Sequence, residues 1–430
     1  MERKIKNKLI DWKQSDDRKP LILQGARQVG KTYSVLSFGK ECYKSCVYFN
    51  FESNSELAKI FERDLEPERI IMELSAKSGQ NILKHDTLIF FDEIQACERA
   101  LSSLKYFNEN ANDYHIIAAG SLLGVAVNRN NYSFPVGKVD FMNMYPLDFE
   151  EFLMALGQEK LMEAIKECYH TSTPFSLHDT AMMYYRTYLL TGGMPSVVMK
   201  YIEKKDFDFV KAEQKNLNDA YIADMAKYAT PHETTKIMAA FESIPAQLAK
   251  ENKKFQYKVI KSGAKANQYE TPLDWLKSSG MIIKCNKVTE GNLPLAAYKE
   301  PSSFKIYLSD VGLLTSKFDI PANIILSGNA NFDRFKGALT ENYAAQALVT
   351  NGHTIYYWES NGKAELDFVM QDEQGNIIPI EVKSGEHTKS KSLGVFTSRY
   401  QCDYAIRISG KNFGFENYIK SVPLYAVCLI

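Results

Sequence analysis

The stretch Leu21-Ile-Leu-Gln-Gly-Ala-Arg-Gln-Val-Gly-Lys-Thr32 decides how this chain is read. It has the form G-x-x-x-x-G-K-[ST] directly behind a short apolar run, which is the spacing of a phosphate-binding loop. Gly25 and Gly30 allow backbone turns that aim successive N–H groups inward, where they and the positive end of the next helix hold an anionic phosphate. On this reading Gly25, Ala26, Arg27, Gln28, Val29, Gly30, Lys31, Thr32 and Tyr33 surround a nucleotide. Lys31 reaches the β and γ phosphates, and Thr32 puts its hydroxyl on a magnesium ion. A chance glycine-rich turn is the bland alternative. The flanks oppose it, because Leu21 to Leu23 predict a buried strand and Tyr33 to Lys40 can continue as a helix.

Such a loop needs acidic partners from a neighbouring strand. Thr87-Leu-Ile-Phe-Phe-Asp-Glu93 is an apolar run ending in two adjacent carboxylates. Ligands of a parallel sheet sit at the C-terminal edge of its strands, so Asp92 is expected in the magnesium shell and Glu93 on the attacking water. Taken alone, Asp-Glu would be an ordinary solvated strand end; it gains weight by following Lys31. Cys46 to Phe51 and His115 to Ser121 predict two further strands, with helix from about Glu56 to Lys77. Ser121 is a candidate sensor of the γ-phosphate, although a lone serine there more often caps a helix. Residues 2 to 14, with Ile5, Leu9 and Trp12 at helical spacing, predict a helix that packs on the core.

The chain has 430 residues, enough for several domains. With 45% apolar and 12% aromatic residues it is globular in composition and not disordered. Lys plus Arg equals Asp plus Glu at 52 each, so affinity for nucleic acid would need a local basic patch. The seven cysteines form no C-x-x-C pair, which fits reduced thiols. No apolar stretch has signal-peptide or membrane-spanning length, so a cytoplasmic protein without membrane contact is expected.

Gly25 to Thr32, Phe91-Asp-Glu-Ile-Gln95, Gly120-Ser121 and Tyr145-Pro-Leu-Asp-Phe-Glu-Glu-Phe152 together resemble a family of bacterial and archaeal AAA-type P-loop ATPases. Members carry a second domain with a restriction-endonuclease-like fold, mostly of unassigned role. The likeness continues through Tyr188-Leu-Leu-Thr-Gly-Gly-Met-Pro195, Ile306-Tyr-Leu-Ser-Asp-Val-Gly-Leu313 and Glu381-Val-Lys-Ser-Gly385. It implies ATP and Mg²⁺ as cofactors, with DNA or RNA as candidate partner and a homo-oligomer as candidate assembly. Where the family often has Gly-Arg, this chain has Gly137-Lys138. Lysine lacks the planar fork of an arginine finger, and Arg129 is a weaker substitute.

The expected fold class is therefore α/β, in four parts. They are a P-loop parallel-sheet ATPase core over 1–156, a helical lid over 157–235, a winged-helix module over 236–312 and a PD-(D/E)xK nuclease-like α/β domain over 313–430. Residues 236 to 310 hold 12 lysines, no arginine and 7 acidic residues. That cationic excess suits phosphate contacts without base readout, or else solubility alone.

In the last part, Glu341, Asp367, Glu381 and Lys383 have the pattern of a nuclease site. Glu341 lies in a predicted helix over 338–348. Residues 381 and 383 share one face of a strand. Two or three carboxylates there would hold Mg²⁺ or Mn²⁺, with Lys383 stabilising developing charge. The alternatives are exposed edge charges, or a remnant fold that grips nucleic acid without cutting. Function is accordingly expected to be Mg²⁺-dependent ATP hydrolysis coupled to nucleic-acid binding or processing. The rival is an ATP-dependent switch whose C-terminal domain binds partners without catalysis.

Overall fold

The computed structural model describes residues 1–120, 134–228, 230–327, 333–360, 364–385 and 391–430. It divides into two compact units. One comprises Glu2–Tyr145 with Ser278–Gly280; the other comprises Pro146–Lys277 and Met281–Ile430.

The first unit follows from alternating strand and helix signals. Helix α1 (Ile5–Gln14) precedes β1 (Leu21–Gln24), α2 (Lys31–Cys42), β2 (Ser45–Asn50), α3 (Pro67–Ser78), β3 (Thr87–Asp92), α4 (Glu98–Asn110), β4 (His115–Ala119) and β5 (Asp140–Asn143). The expected helix from Glu56 is split, with a 3-10 turn over Ser55–Phe61 ahead of α3. Pro67 sets φ at the first turn of α3, and Gly79 ends it in the left-handed region. The strands form a parallel sheet in the order β2-β3-β4-β1-β5.

Strand β3 is buried at all six positions, as a central parallel strand covered on both faces must be. Phe49, Phe51, Phe61 and Phe91 meet edge-on or tilted in the core beside it. Burying each such ring contributes about 2 kcal/mol. This order puts β4 between β1 and β3, so the loops after β1 and β3 flank its C-terminal end.

The second unit begins with helices α5 (Phe149–Ala155), α6 (Glu159–Thr171), α7 (His178–Thr191), α8 (Pro195–Lys204), α9 (Phe207–Tyr228) and α10 (Pro231–Leu248). Reciprocal capping boxes open α5 (Asp148 with Glu151) and α10 (Thr230 with Glu233). After α11 (Tyr257–Ile260) and α12 (Ala266–Ser278) come β6 (Ile282–Val288), β7 (Lys299–Leu308), α13 (Val311–Lys317), α14 (Ala322–Ser327) and α15 (Asp333–Thr350). The chain closes with β8 (Tyr356–Ser360), β9 (Ala364–Gln371), β10 (Ile377–Val382), α16 (Lys391–Arg399), β11 (Ala405–Ser409), β12 (Gly414–Glu416) and β13 (Ile419–Pro423).

Among the described residues its eight strands join one sheet, in the order β12-β13-β11-β10-β9-β8-β6-β7. The expected divisions shift accordingly. The β6–β7 hairpin, which falls inside the span expected for a separate winged-helix module, is the edge of this C-terminal sheet, because β6 pairs in parallel with β8 from Asn286↔Tyr356. Cys285 and Val288 are thereby fully buried. Position 235 falls inside α10, and α5, expected in the ATPase core, belongs to the second unit. There Leu147 N–H donates to Gly193 O at 2.7 Å. Among the described residues no helix is long and apolar enough to cross a membrane.

Candidate functional site

In the first unit the loop between β1 and α2 is built by close approach. Gly25 has φ +146°, and a Cβ there would lie 2.1 Å from Met144 O, so only glycine fits. Gln28 (φ 63°) and Gly30 (φ 96°) turn the backbone, and α2 starts at Lys31.

Lys31 is buried, and its Nζ donates to Gly25 O at 2.8 Å and Ala26 O at 2.9 Å. Burial pulls its pKa down to about 8, against the pull of Glu93 and Asp92. Thr32 Oγ1 donates to Asp92 Oδ2 at 2.8 Å, so the hydroxyl from α2 and the carboxylate from β3 converge. Glu93, next in the chain, has φ 50°, and its Oε2 accepts from Gln95 Nε2 at 2.5 Å. Tyr33 is exposed on the first turn of α2, and Arg27 pairs with Glu52 at 3.7 Å. A cradle that no Cβ could enter, an ammonium group and a hydroxyl–carboxylate pair fit a nucleotide phosphate with Mg²⁺.

Three neighbours escaped sequence reading. Arg3, ahead of α1, donates to Val29 O at 2.8 Å and to Tyr145 O at 2.7 Å, so the N-terminal segment grips the loop as well as the core. Tyr48 donates to Asp92 Oδ2 at 3.0 Å, and Asn50 Nδ2 donates to Tyr48 Oη at 3.1 Å. Only the i, i+2 spacing of Tyr48 and Asn50 along β2 hinted that they share a face. Ser121 and Arg129 lie outside the described residues. Lys138 forms an ion pair with Glu109 at 3.0 Å.

In the second unit Glu341 lies on α15, Asp367 on β9 and Glu381 on β10, with Lys383 just beyond. Lys383 Nζ stands 2.6 Å from Glu381 Oε1, and Asp367 Oδ2 accepts from Val382 N at 2.8 Å. Glu381 Oε2 is buried without a hydrogen-bond partner among the described residues.

Sequence reading missed the cations at Glu341. Its Oε1 accepts from Lys305 Nζ at 3.1 Å and Tyr307 Oη at 2.5 Å, and Lys253 pairs with Oε2. Lys305, 1% exposed, also reaches Glu365 Oε1 at 2.5 Å. Burial would lift Glu341, but Lys253 and Lys305 outweigh it and hold the carboxyl below its usual range. Asp367 is pushed up by burial and then by Glu341. Among the described residues no three His, Cys, Asp or Glu side chains are grouped to hold a metal. With both oxygens of Glu341 on cations, Asp367 Oδ2 on Val382 N and Glu381 Oε1 on Lys383, none of the three carboxylates offers both of its oxygens to a divalent ion.

Residues 17–153 match the AAA domain family. Residues 182–323 and 336–427 match two domains of unknown function, DUF8612 and DUF4143. No curated protein matches the chain. Solved structures similar to it include the Walker-type ATPase PABY2304 of Pyrococcus abyssi, at 15% identity over 74% of this chain and 95% of that one, TM-score 0.46. The Aeropyrum pernix ORC2 protein matches at 12% identity over 79% and 91%, TM-score 0.36. The Thermotoga maritima RuvB Holliday junction branch migration motor matches at 12% over 69% and 91%, TM-score 0.31. The family match and the loop geometry agree: this chain carries an AAA-type P-loop ATPase domain.

Proposed function

We propose that the chain hydrolyses ATP with magnesium at the β1–α2 loop and that turnover drives engagement of nucleic acid by its C-terminal part. The observation that carries the reading is the 2.8 Å meeting of Thr32 and Asp92 beside buried Lys31. Lys31 exchanges the carbonyls of Gly25 and Ala26 for phosphate oxygens. Thr32 and Asp92 would hold the metal, which when bound would neutralise charge on the phosphates. Glu93 orients the attacking water and accepts its proton, and Gln95 holds that carboxylate in place until then.

The test is ATP turnover by the full chain with Mg²⁺, with and without DNA or RNA. Lys31→Ala should abolish nucleotide binding or turnover. Glu93→Gln should keep ATP bound and slow hydrolysis roughly 10²–10⁴-fold. A Glu93→Gln protein with wild-type turnover refutes the role of that carboxylate. Turnover indifferent to every nucleic acid refutes the coupling and leaves an ATP-dependent switch. One observation favours that second reading for the C-terminal part: Glu341, central to the nuclease-like pattern, is engaged by Lys253 and Lys305.

A further inference from the structure

The carboxylate centre of the C-terminal sheet has the charges of a metal site without its shape. Glu365 and Asp367 alternate along β9 and so share a face, and Lys305 and Tyr307 do the same on β7. Lys305 cannot reach water: it is 1% exposed, it rises from a strand, and its ammonium group spans Glu341 on α15 and Glu365 on β9. Lys253 neutralises the second oxygen of Glu341 from outside the sheet, and Lys383 neutralises Glu381 from its end. Three carboxylates, Glu341, Glu365 and Glu381, thus pair with three lysines.

We infer that Lys305, assisted by Lys253, takes the place of the divalent ion in this centre, so that the C-terminal part holds its ligand without metal-dependent cleavage. The inference rests on the nuclease-like reading of Glu341, Asp367, Glu381 and Lys383 made above. Asp367 gives Oδ2 to Val382 N and Glu381 gives Oε1 to Lys383, so each of these two carboxylates keeps one oxygen outside the network. Beside Glu381 stands the partly exposed Lys383.

Full-length protein, free of nucleotide, is titrated with Mn²⁺ and followed by electron paramagnetic resonance. In the wild type no Mn²⁺ site should respond to Glu381→Gln. Lys305→Met should gain a Mn²⁺ site, tighter than any in the wild type by on the order of tenfold, and Glu381→Gln in that background should remove it. If Lys305→Met does not fold, the pair Lys305→Met and Glu365→Gln keeps the wild-type charge balance and is read in the same way.

A wild-type Mn²⁺ site lost in Glu381→Gln overturns the inference, and so does a folded Lys305→Met protein without the gain. The wild-type comparison alone can overturn it, whatever the fate of the variants. Mn²⁺-dependent cleavage of DNA or RNA that disappears in Glu381→Gln would also overturn it while upholding the nuclease-like reading. ATP turnover on the same samples reports the phosphate-loop reading separately.

Discussion

The backbone N–H of Gly193 donates to Oδ2 of Asp310 at 2.7 Å, across 117 residues of chain. The other oxygen of Asp310 accepts from Leu313 N at 2.9 Å, so one buried carboxylate both caps α13 and secures the turn after α7. On the far side of that turn Gly193 O accepts from Leu147 N, and a Cβ at Gly193 would lie 1.9 Å from Leu147 O. Three separate sequence signatures, Pro-Leu-Asp, Gly-Gly-Met-Pro and Ser-Asp-Val-Gly, therefore meet at one place in the second unit. Their role there is architectural.

Asp310 makes that junction sensitive to pH. Burial lifts its pKa to about 6, with the N–H groups of Gly193 and Leu313 opposing. A carboxyl raised in the fold binds more protons native than unfolded between about pH 4 and 6, so its contribution to stability falls as pH rises through that window. Asp310→Asn, which loses a hydrogen bond, should destabilise the protein by about 1–3 kcal/mol. Because asparagine does not titrate, the deficit should shrink from pH 4.5 to pH 7 by roughly 2 kcal/mol. Urea unfolding of both proteins at the two pH values checks this; a deficit that grows with pH contradicts it. Gly193→Ala should cost about 3 kcal/mol at either pH, from overpacking against Leu147.

Lys31 sets the pH dependence of nucleotide binding. Its pKa is depressed to about 8, chiefly by burial, and phosphate oxygens would restore the ammonium form. Below pH 8 the lysine is already charged and ATP binding should take up no proton at this group. Between pH 8 and its ordinary value near 10.5, binding should take up a proton and affinity should fall as pH rises. The nucleotide-free fold shows the opposite sign: the unfolded chain binds the extra proton in that window, so stability attributable to Lys31 rises with pH. Calorimetry of ATP binding at pH 9 in buffers of different ionisation enthalpy measures the uptake. None at pH 9 would refute the assignment.

Arg3 positions the loop through the carbonyls of Val29 and Tyr145. Arg3→Ala should lower ATP turnover roughly tenfold through a misplaced loop. Arg3→Lys, which carries the charge but cannot span both carbonyls with one planar group, should recover little of it. The distinguishing readout is the split between kcat and KM with the melting temperature held in view. An equal loss of stability and activity in Arg3→Ala, with full recovery in Arg3→Lys, would mean that the contact is structural only.

Local chemistry made the first unit readable from its residues. Glycine spacing, an apolar run and a terminal carboxylate pair are determined within a dozen residues each, and the parallel sheet brings β1 and β3 to either side of β4, where Thr32 and Asp92 meet. The same period-2 pattern predicted one face for Glu381 and Lys383, and although Lys383 lies just past the end of β10 their side chains stand 2.6 Å apart. Contacts across long chain separations left no such trace. A lysine such as Lys305 reads on its own as a solvated edge residue, and only the addition of the β6–β7 hairpin to the C-terminal sheet buries it against Glu341, 36 residues on. Arg3, at the head of a helix whose pattern specified only a packing face, likewise found Val29 and Tyr145 through tertiary docking. Backbone preference and hydrophobic period act over a few residues. The pairing of buried charges is decided by which strands become neighbours, and only the assembled sheet settles that.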